Sequence, residues 1–201
     1  MKIYLIRHGE TKGNSLKRYI GVTDEPILQE AYLKLKCLEY PQVEAVFESP
    51  MLRCRQTGEA MYPGIPVRII EEFAECNFGK FENKSWMDMA DDPEYQAWVD
   101  SNGLIPFPEG ECLVDFQKRC CRGFERAVSE CMRKNIEHVA MVVHGGTIMS
   151  IMDRYMVPHR AYFDWAVKNG CGYEIEIEPT LWTSSRREIH KYKPLVDKEN
   201  V

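Results

Sequence analysis

Two short runs of this sequence, at residues 3–6 and 139–143, are apolar at every position and are bounded by polar residues. A strand that is buried on both faces has this unbroken pattern, whereas a half-exposed strand alternates apolar and polar residues. Strands covered on both faces are typical of parallel sheets, in which helices cross from one strand to the next. Shorter runs at residues 45–47 and 67–70 predict two further strands of the same sheet.

Helical patterns lie between these runs, with apolar residues three and four positions apart, at residues 28–40, 52–61 and 112–134. Strands that alternate with helices predict an α/β fold. We expect a three-layer α/β/α arrangement with a mostly parallel central sheet, formed by a single domain over residues 1–201.

Two segments depart from this alternation. Residues 73–108 hold three of the eleven prolines and two of the four tryptophans, and we interpret this segment as an inserted lid over the carboxyl ends of the strands. Residues 172–177 alternate apolar and polar side chains up to Pro179, which predicts a half-exposed strand. Its partner strand is expected at residues 181–183 or in the basic tail.

The charge balance limits the classes of partner. The chain of 201 residues carries 31 acidic and 26 basic side chains, a formal net charge of −5, which argues against nucleic acid or an anionic membrane as partner. Any anion site must therefore be a local cluster of positive charge. Eight cysteines without CxxC spacing predict reduced thiols rather than a metal site. Because no apolar run is long enough for a signal peptide or a membrane span, we expect a cytoplasmic protein.

Basic and imidazole side chains follow three of the predicted strands at the point where each strand ends. Arg7 and His8 follow the first run, His144 follows the run at residues 139–143, and Arg53 lies in the first turn of the helix after the third strand. The carboxyl ends of parallel strands meet at one edge of the sheet, where ligands bind. Two guanidinium groups and two imidazoles at this edge predict a phosphate pocket, since guanidinium groups grip phosphate in a bidentate manner.

Hydrolysis of a phosphomonoester also needs a nucleophile and a proton donor, because the uncatalysed reaction requires acceleration by up to about 10²¹-fold. A neutral histidine can attack phosphorus and form a phosphohistidine. Glu75 is the candidate proton donor, since it opens the inserted segment beside Phe73 and Phe78, and apolar neighbours raise the pKa of a carboxyl group.

Four short blocks carry these residues. They are Arg-His-Gly-Glu-Thr at residues 7–11 followed by Asn14, Ser-Pro-Met-Leu-Arg-Cys-Arg-Gln-Thr at 49–57, Glu-Cys-Asn-Phe-Gly at 75–79 and His-Gly-Gly at 144–146. In order and spacing the blocks resemble the signature motifs of the histidine phosphatase superfamily, also called phosphoglycerate-mutase-like. Within it, residues 18–26 and 108–111 look most like the branch of α-ribazole phosphatases and broad-specificity phosphatases.

The resemblance implies a phosphomonoester hydrolase that works through a phosphohistidine and needs neither metal nor another cofactor. It implies that His8 is the nucleophile and that Glu75 is the general acid and then the general base. The implied phosphoryl-binding residues are Arg7, Arg53 and His144, and the further implied substrate ligands are Asn14, Thr23 and Gly145. α-Ribazole 5′-phosphate, a precursor of the nucleotide loop of cobalamin, is the substrate that the branch suggests.

Other interpretations stay open at this point. The chain could be a mutase that returns the phosphoryl group to a second hydroxyl, or a non-catalytic module that binds a phosphorylated ligand. The two basic residues of the inserted segment, Lys80 and Lys84, are few for a second charged group, which favours water as acceptor. Asn14 could instead cap a helix, and Asn169 with Gly170 reads as a turn before the last strand. The oligomeric state is left open.

Overall fold

The computed structural model describes residues 1–183 and 186–195. Six strands form one sheet within these residues: β1 (Lys2–Arg7), β2 (Ala45–Glu48), β3 (Val67–Ile69), β4 (His138–Val143), β5 (Gly172–Glu176) and β6 (Lys191–Leu195). Their order across the sheet is β3-β2-β4-β1-β5-β6. The first four strands are parallel to one another, and β5 and β6 extend the sheet in antiparallel fashion.

The helices of the described residues are α1 (Lys12–Ser15), α2 (Gln29–Cys37), α3 (Leu52–Met61), α4 (Pro93–Asp100), α5 (Leu113–Lys134), α6 (Gly145–Tyr155) and α7 (Pro179–Thr183). Helices α5 and α6 cover one face of the sheet in a core that includes Ile3, Leu5 and Phe124. Helices α2 and α3 cover the other face around Tyr4 and Ile6. Alternate residues of β1 thus enter two different cores, which explains why its sequence is apolar throughout.

The segment at residues 73–108 begins at the end of a 3-10 turn (Glu71–Phe73) and contains a second 3-10 turn (Gly79–Phe81), connecting loops and α4. Its core is a cluster of aromatic rings that pack edge to face or stacked on one another: Tyr19, Phe78, Phe81, Tyr95, Trp98 and Phe107. Tyr19 comes from outside the segment, and the backbone amide of Asn83 donates to its carbonyl at 2.9 Å. These contacts join the segment to the loop that follows α1.

The predicted α/β fold with a mostly parallel sheet is confirmed. Of the two places expected for the last partner strand, residues 181–183 were wrong, because they belong to α7, and the partner is β6 in the basic tail. Proline fits the first turn of a helix, where its missing N–H costs no hydrogen bond, so Pro179 both ends the strand region and begins α7.

Candidate functional site

His8 and His144 lie at the carboxyl ends of two adjacent parallel strands. In the pairing of β1 with β4, Arg7 stands opposite Val143, so the next residue of each strand is a histidine. The amide of His8 donates to the carbonyl of Val143 at 3.0 Å. Both imidazoles are buried, and their ring centroids are 5.2 Å apart. The register of the sheet therefore places the two rings in one site.

A backbone contact fixes the tautomer of His8. Its Nδ1 lies 2.7 Å from the carbonyl oxygen of Gly9. Because a carbonyl only accepts, Nδ1 carries the proton and Nε2 keeps its lone pair. Burial, and then the charges of Arg53 and Arg7, hold the pKa of His8 well below its ordinary value of 6.5. The ring is therefore neutral near pH 7, which is the form that can attack an electrophile.

Arg53 is 1% exposed and is held in place by backbone carbonyls. Its Nη1 donates to Thr23 at 2.9 Å, and its Nη2 donates to Gly21 at 3.0 Å and to Ile20 at 3.3 Å. Its Nε lies 3.4 Å from Nδ1 of His144. These four contacts fix the plane of the guanidinium beside the two imidazoles, where its charge favours an anion.

Arg7 supplies a second guanidinium at the end of β1. Its Nη1 donates to the carbonyl of Val167 at 2.8 Å. Its Nε is buried and has no hydrogen-bond partner among the residues that the structure describes. A Cβ added to Gly145 would lie 3.5 Å from this nitrogen and 3.6 Å from both Cδ and Cζ, so Gly145 packs against the face of the Arg7 side chain. An unpaired buried donor at the first turn of α6 suits an anionic oxygen.

Glu75 faces the imidazole of His144 from the inserted segment. Its Oε2 lies 3.8 Å from Nδ1 of His144, and its Oε1 accepts from the amide of Cys76 at 2.9 Å. Burial raises the pKa of Glu75 above its ordinary value of 4.5, although the Cys76 amide, Arg53 and Arg7 act in the opposite direction. A carboxyl group with a raised pKa beside an anion pocket can deliver a proton to a leaving group.

Arg119 of α5 holds the loop that carries Glu75. Its Nη1 donates to the carbonyls of Glu72 and Ala74, each at 2.8 Å, and its Nη2 and Nε bind the two carboxylate oxygens of Glu111. The sequence did not single out this residue. One feature of the sequence could have indicated a role for Arg119. It comes three positions after Phe116, at the edge of the apolar face of α5, where a charged side chain with no partner is not expected.

Asn14 and Thr23 lie near the site but are engaged with protein groups. Asn14 forms a capping box with Thr11: its Oδ1 accepts from the Thr11 amide at 3.2 Å, and its own amide donates to Thr11 Oγ1 at 3.2 Å. The hydroxyl of Thr23 donates to Glu82 at 2.9 Å and accepts from Asn83. The carbonyl of Thr23, rather than its side chain, reaches Arg53.

Glu82 is a second residue whose role the sequence did not reveal. Its carboxylate accepts hydrogen bonds from the amides of Gly21 and Val22, from the hydroxyl of Thr23 and from the amide of Phe78. Residues 20–23, hereafter the arginine-backing loop, include the three residues whose carbonyls accept from Arg53. The inserted segment is thereby joined through Glu82 to the guanidinium in the site.

The structure thus brings together the five residues expected to be catalytic, and Gly145 lies beside Arg7. The carbonyl of Thr23 accepts directly from Arg53, whereas Asn14 is linked to the carbonyl of His8 through the side chain of Asn169. Residues 1–183 and 186–195 contain no group of three or more histidine, cysteine or acidic side chains that could hold a metal ion. All eight cysteines are free thiols. No helix in the same residues is both long and apolar enough to cross a bilayer.

Comparison with known proteins assigns the family. The family model described as "Histidine phosphatase superfamily (branch 1)" matches residues 3–190. The chain belongs to this family. As a member of branch 1 of the histidine phosphatase superfamily it is an enzyme, a phosphatase, and a phosphate ester is its substrate.

Two curated relatives of this histidine phosphatase bear the same name, Adenosylcobalamin/alpha-ribazole phosphatase. The protein of Escherichia coli K12 is 30% identical over 193 residues, which cover 91% of this chain and 93% of the relative. The protein of Salmonella typhimurium LT2 is 28% identical over 189 residues, which cover 88% and 91%. Among solved structures, the alpha-ribazole phosphatase from Shigella flexneri superposes with a TM-score of 0.77 at 26% identity, covering 89% of this histidine phosphatase and 92% of that chain.

Proposed function

We propose that this phosphatase hydrolyses phosphomonoesters through a phosphohistidine at His8. The observation that carries the proposal is the hydrogen bond from His8 Nδ1 to the carbonyl of Gly9, at 2.7 Å, which leaves the Nε2 lone pair free in a neutral ring. A ring fixed in this tautomer pays no reorganisation cost before it attacks phosphorus.

The surrounding residues support the two chemical steps. In the first step Nε2 of His8 forms a bond to phosphorus while the bond to the alkoxide breaks, and Glu75 gives its proton to the departing oxygen. In the second step the Glu75 carboxylate takes a proton from water, whose oxygen attacks the phosphohistidine and releases inorganic phosphate. Glu75 ends each cycle protonated, and its buried position favours that neutral form.

Charge on the phosphoryl group is balanced by Arg7 and Arg53 in this proposal. Hydrogen bonds to charged groups contribute about 1.5–3 kcal/mol each, so the donors of two guanidinium groups offset a substantial part of the desolvation of a phosphate dianion. The Nε of Arg7 is buried and has no partner among the described residues, so it is a donor available to a phosphate oxygen beside Gly145. Asn14 completes the set of proposed ligands. His144, whose Nδ1 and Nε2 already contact Arg53 and Ser49, contributes by holding Arg53 in place, as the carbonyl of Thr23 does.

For the substrate we propose α-ribazole 5′-phosphate. The names of the two curated relatives from enteric bacteria support this choice, and the match extends over about nine-tenths of each chain. The hydrolysis of this ester would remove one phosphate from a ribonucleotide with an unusual base. A ranking of kcat/KM for α-ribazole 5′-phosphate, AMP and ribose 5-phosphate tests the assignment, and AMP or ribose 5-phosphate in first place would contradict it.

The nucleophile is tested by rapid quench of the enzyme during turnover of ³²P-labelled p-nitrophenyl phosphate. We expect an acid-labile, base-stable label on the wild-type protein and none on His8→Ala, with the turnover of the variant reduced at least about a thousand-fold. His159→Ala is the matched control, since His159 is exposed and contacts only Asp153 among the described residues. Turnover by His8→Ala within a few-fold of wild type would exclude the proposal.

The same preparation distinguishes hydrolysis from phosphoryl transfer to a second hydroxyl. Incubated with 3-phosphoglycerate, a mutase would form 2-phosphoglycerate, whereas a hydrolase releases inorganic phosphate. Binding of inorganic phosphate without turnover of any ester would instead indicate a non-catalytic module.

A further inference from the structure

The side chain of Asn169 faces three oxygen acceptors at the end of β1. Its Nδ2 lies 2.9 Å from Oδ1 of Asn14, 3.1 Å from the carbonyl oxygen of His8 and 3.4 Å from that of Gly9. The turn that carries Asn169 is itself fixed at this edge, because the amide of Gly170 donates to the carbonyl of Arg7 at 3.0 Å. Gly170 has a φ of +74°, a conformation that glycine adopts without strain. The predicted turn is confirmed, but the side chain does more than form a turn.

Chemistry fixes the orientation of both amide groups. Carbonyl oxygens only accept, so the atom of Asn169 that faces the His8 and Gly9 carbonyls must be the NH₂ group. The Thr11 amide only donates, so the atom of Asn14 that faces it, at 3.2 Å, must be Oδ1. Asn14 Oδ1 therefore receives two hydrogen bonds, one from Thr11 and one from Asn169. The NH₂ group of Asn14 is then the only part of its amide left to meet a ligand.

We propose that Asn169 is a positioning residue that fixes the amide of Asn14 with its NH₂ group directed to a phosphate oxygen. The inference rests on the proposed function, in which Asn14 is a phosphate ligand. Without Asn169 the Oδ1 of Asn14 keeps a single hydrogen bond, at 3.2 Å, from Thr11. The amide can then turn, and an oxygen would face the anion in place of a donor. The helix-capping role and the ligand role of Asn14 are thus compatible, since they use different atoms of one amide.

The isosteric variant Asn169→Asp tests this arrangement. A carboxylate in the place of the amide faces three oxygens that cannot donate to it, so the Asn14 amide should turn to offer its NH₂ group to Asp instead of to phosphate. With inorganic phosphate as a competitive inhibitor of p-nitrophenyl phosphate hydrolysis, we expect the inhibition constant to rise about 10- to 100-fold. Asn135→Asp is the matched control, because Asn135 is exposed at the end of α5, and it should leave the constant unchanged.

A double-mutant cycle separates positioning from a structural effect. Asn14→Ala alone should weaken inhibition by phosphate, and adding Asn169→Asp to it should change the constant by less than about two-fold, since the amide on which Asn169 acts is gone. Asn169→Ala, taken through the same cycle, replaces the aspartate variant if that protein does not fold. Wild-type inhibition in the Asn169 variants, or an equal loss with and without Asn14, overturns the proposal.

These outcomes are independent of the test of the nucleophile. If Asn169 is not a positioning residue, the label at His8 still forms during turnover. If the label never forms, the mechanism at His8 fails whatever the effect of Asn169 on phosphate inhibition. An absence of any effect of Asn14→Ala on phosphate inhibition would overturn the positioning role and would leave the phosphohistidine unaffected.

Discussion

The hydroxyl of Ser49 lies 2.7 Å from Nε2 of His144, on the side of the ring opposite to Arg53. Nδ1 of the same ring lies 3.4 Å from Arg53 Nε, which can only donate. His144 therefore accepts from Arg53 through Nδ1 and donates to Ser49 through Nε2. Burial, and then the charge of Arg53, hold the pKa of His144 well below 6.5, so the neutral ring keeps this pair of contacts near pH 7.

Removal of the hydroxyl in Ser49→Ala should loosen the orientation of His144. One hydrogen bond contributes about 1 kcal/mol, so we expect kcat/KM to fall about 5- to 10-fold. Steady-state kinetics with p-nitrophenyl phosphate measures the change. Ser129→Ala is the control, because the exposed Ser129 hydroxyl donates only to its own helix at the carbonyl of Glu125. Equal rates for the two variants would argue against a fixed orientation of His144.

Glu75→Gln should affect poor leaving groups most. An alkoxide needs a proton as it departs, whereas p-nitrophenolate leaves without one. We expect the loss of kcat to be at least about 10-fold greater for an alkyl phosphate such as glycerol 3-phosphate than for p-nitrophenyl phosphate. Parallel kinetics on the two esters checks this, and an equal loss on both would remove the acid role of Glu75.

With glycerol 3-phosphate, whose leaving group needs a proton, the pH profile of kcat/KM should be bell-shaped. Activity needs neutral His8, whose pKa is lowered, so the acid limb should have its midpoint below 6.5. Activity also needs protonated Glu75, whose pKa burial raises, so the basic limb should lie above 4.5. In Glu75→Gln the basic limb should disappear while the acid limb remains. An acid limb centred above 6.5 in the wild type would contradict the neutral buried imidazole.

Glu82→Gln should weaken the binding of phosphate by Arg53. The amide of glutamine has one acceptor where the carboxylate has two, and its NH₂ group would face the amides of the arginine-backing loop. We expect inhibition by inorganic phosphate to weaken about 10-fold. Combination with Arg53→Ala should give little further loss, because Glu82 acts through that residue. Asp88→Asn is the matched control, since the Asp88 carboxylate lies in the same segment and accepts its hydrogen bonds from Ser85 rather than from the arginine-backing loop. If Asp88→Asn weakens inhibition by phosphate as much as Glu82→Gln does, the cause is a general loss of order in the inserted segment and not the contact of Glu82 with the arginine-backing loop.

Glu48 should make the protein less stable as the pH rises. Its Oε1 is buried without a partner among the described residues, close to Gly58, and burial raises the pKa of Glu48 from 4.5 to about 7. The folded protein therefore holds a proton that the unfolded chain has released between these values, so the free energy of unfolding falls from pH 4.5 to 7. Glu48→Gln should remove this slope and add up to about 3 kcal/mol to the free energy of unfolding at pH 8.

Urea denaturation at several pH values measures the free energy of unfolding of this variant, with Glu59→Gln, an exposed neighbour, as control. An unchanged slope in Glu48→Gln would exclude Glu48 as its source.

The strand-end residues could be placed from the sequence, because burial of both faces of β1 and β4 fixes where those strands end. His8 and His144 follow directly, and adjacent parallel strands put them together. The positions of Arg119, Glu82 and Asn169 could not be predicted in the same way. Each binds backbone amides or carbonyls of a distant loop, and residue type does not show which backbone groups a fold leaves without partners.

The final strand and α6 show a related limit. The sequence of residues 181–183 is apolar enough for a short strand. In the structure, however, β5 pairs with Lys191–Leu195, and residues 181–183 form a helix that begins at Pro179. The helix α6 begins at Gly145 directly after β4, and its two glycines gave no helical signal. Both α6 and α7 are stabilised by packing in the core that they share with α5 and the sheet. Apolar periodicity within each segment was therefore not enough to predict these two helices.

The central position of β1 ties turnover to the completion of the whole fold. The two strands that pair with β1 begin at His138 and Gly172, so β1 can be paired only after much of the rest of the chain has been synthesised. A nascent chain that ends before residue 138 lacks β4, the strand beside which β1 places His8. Catalysis should consequently appear and vanish in one step with cooperative folding, and a simple assay of phosphate release would then count native molecules during refolding.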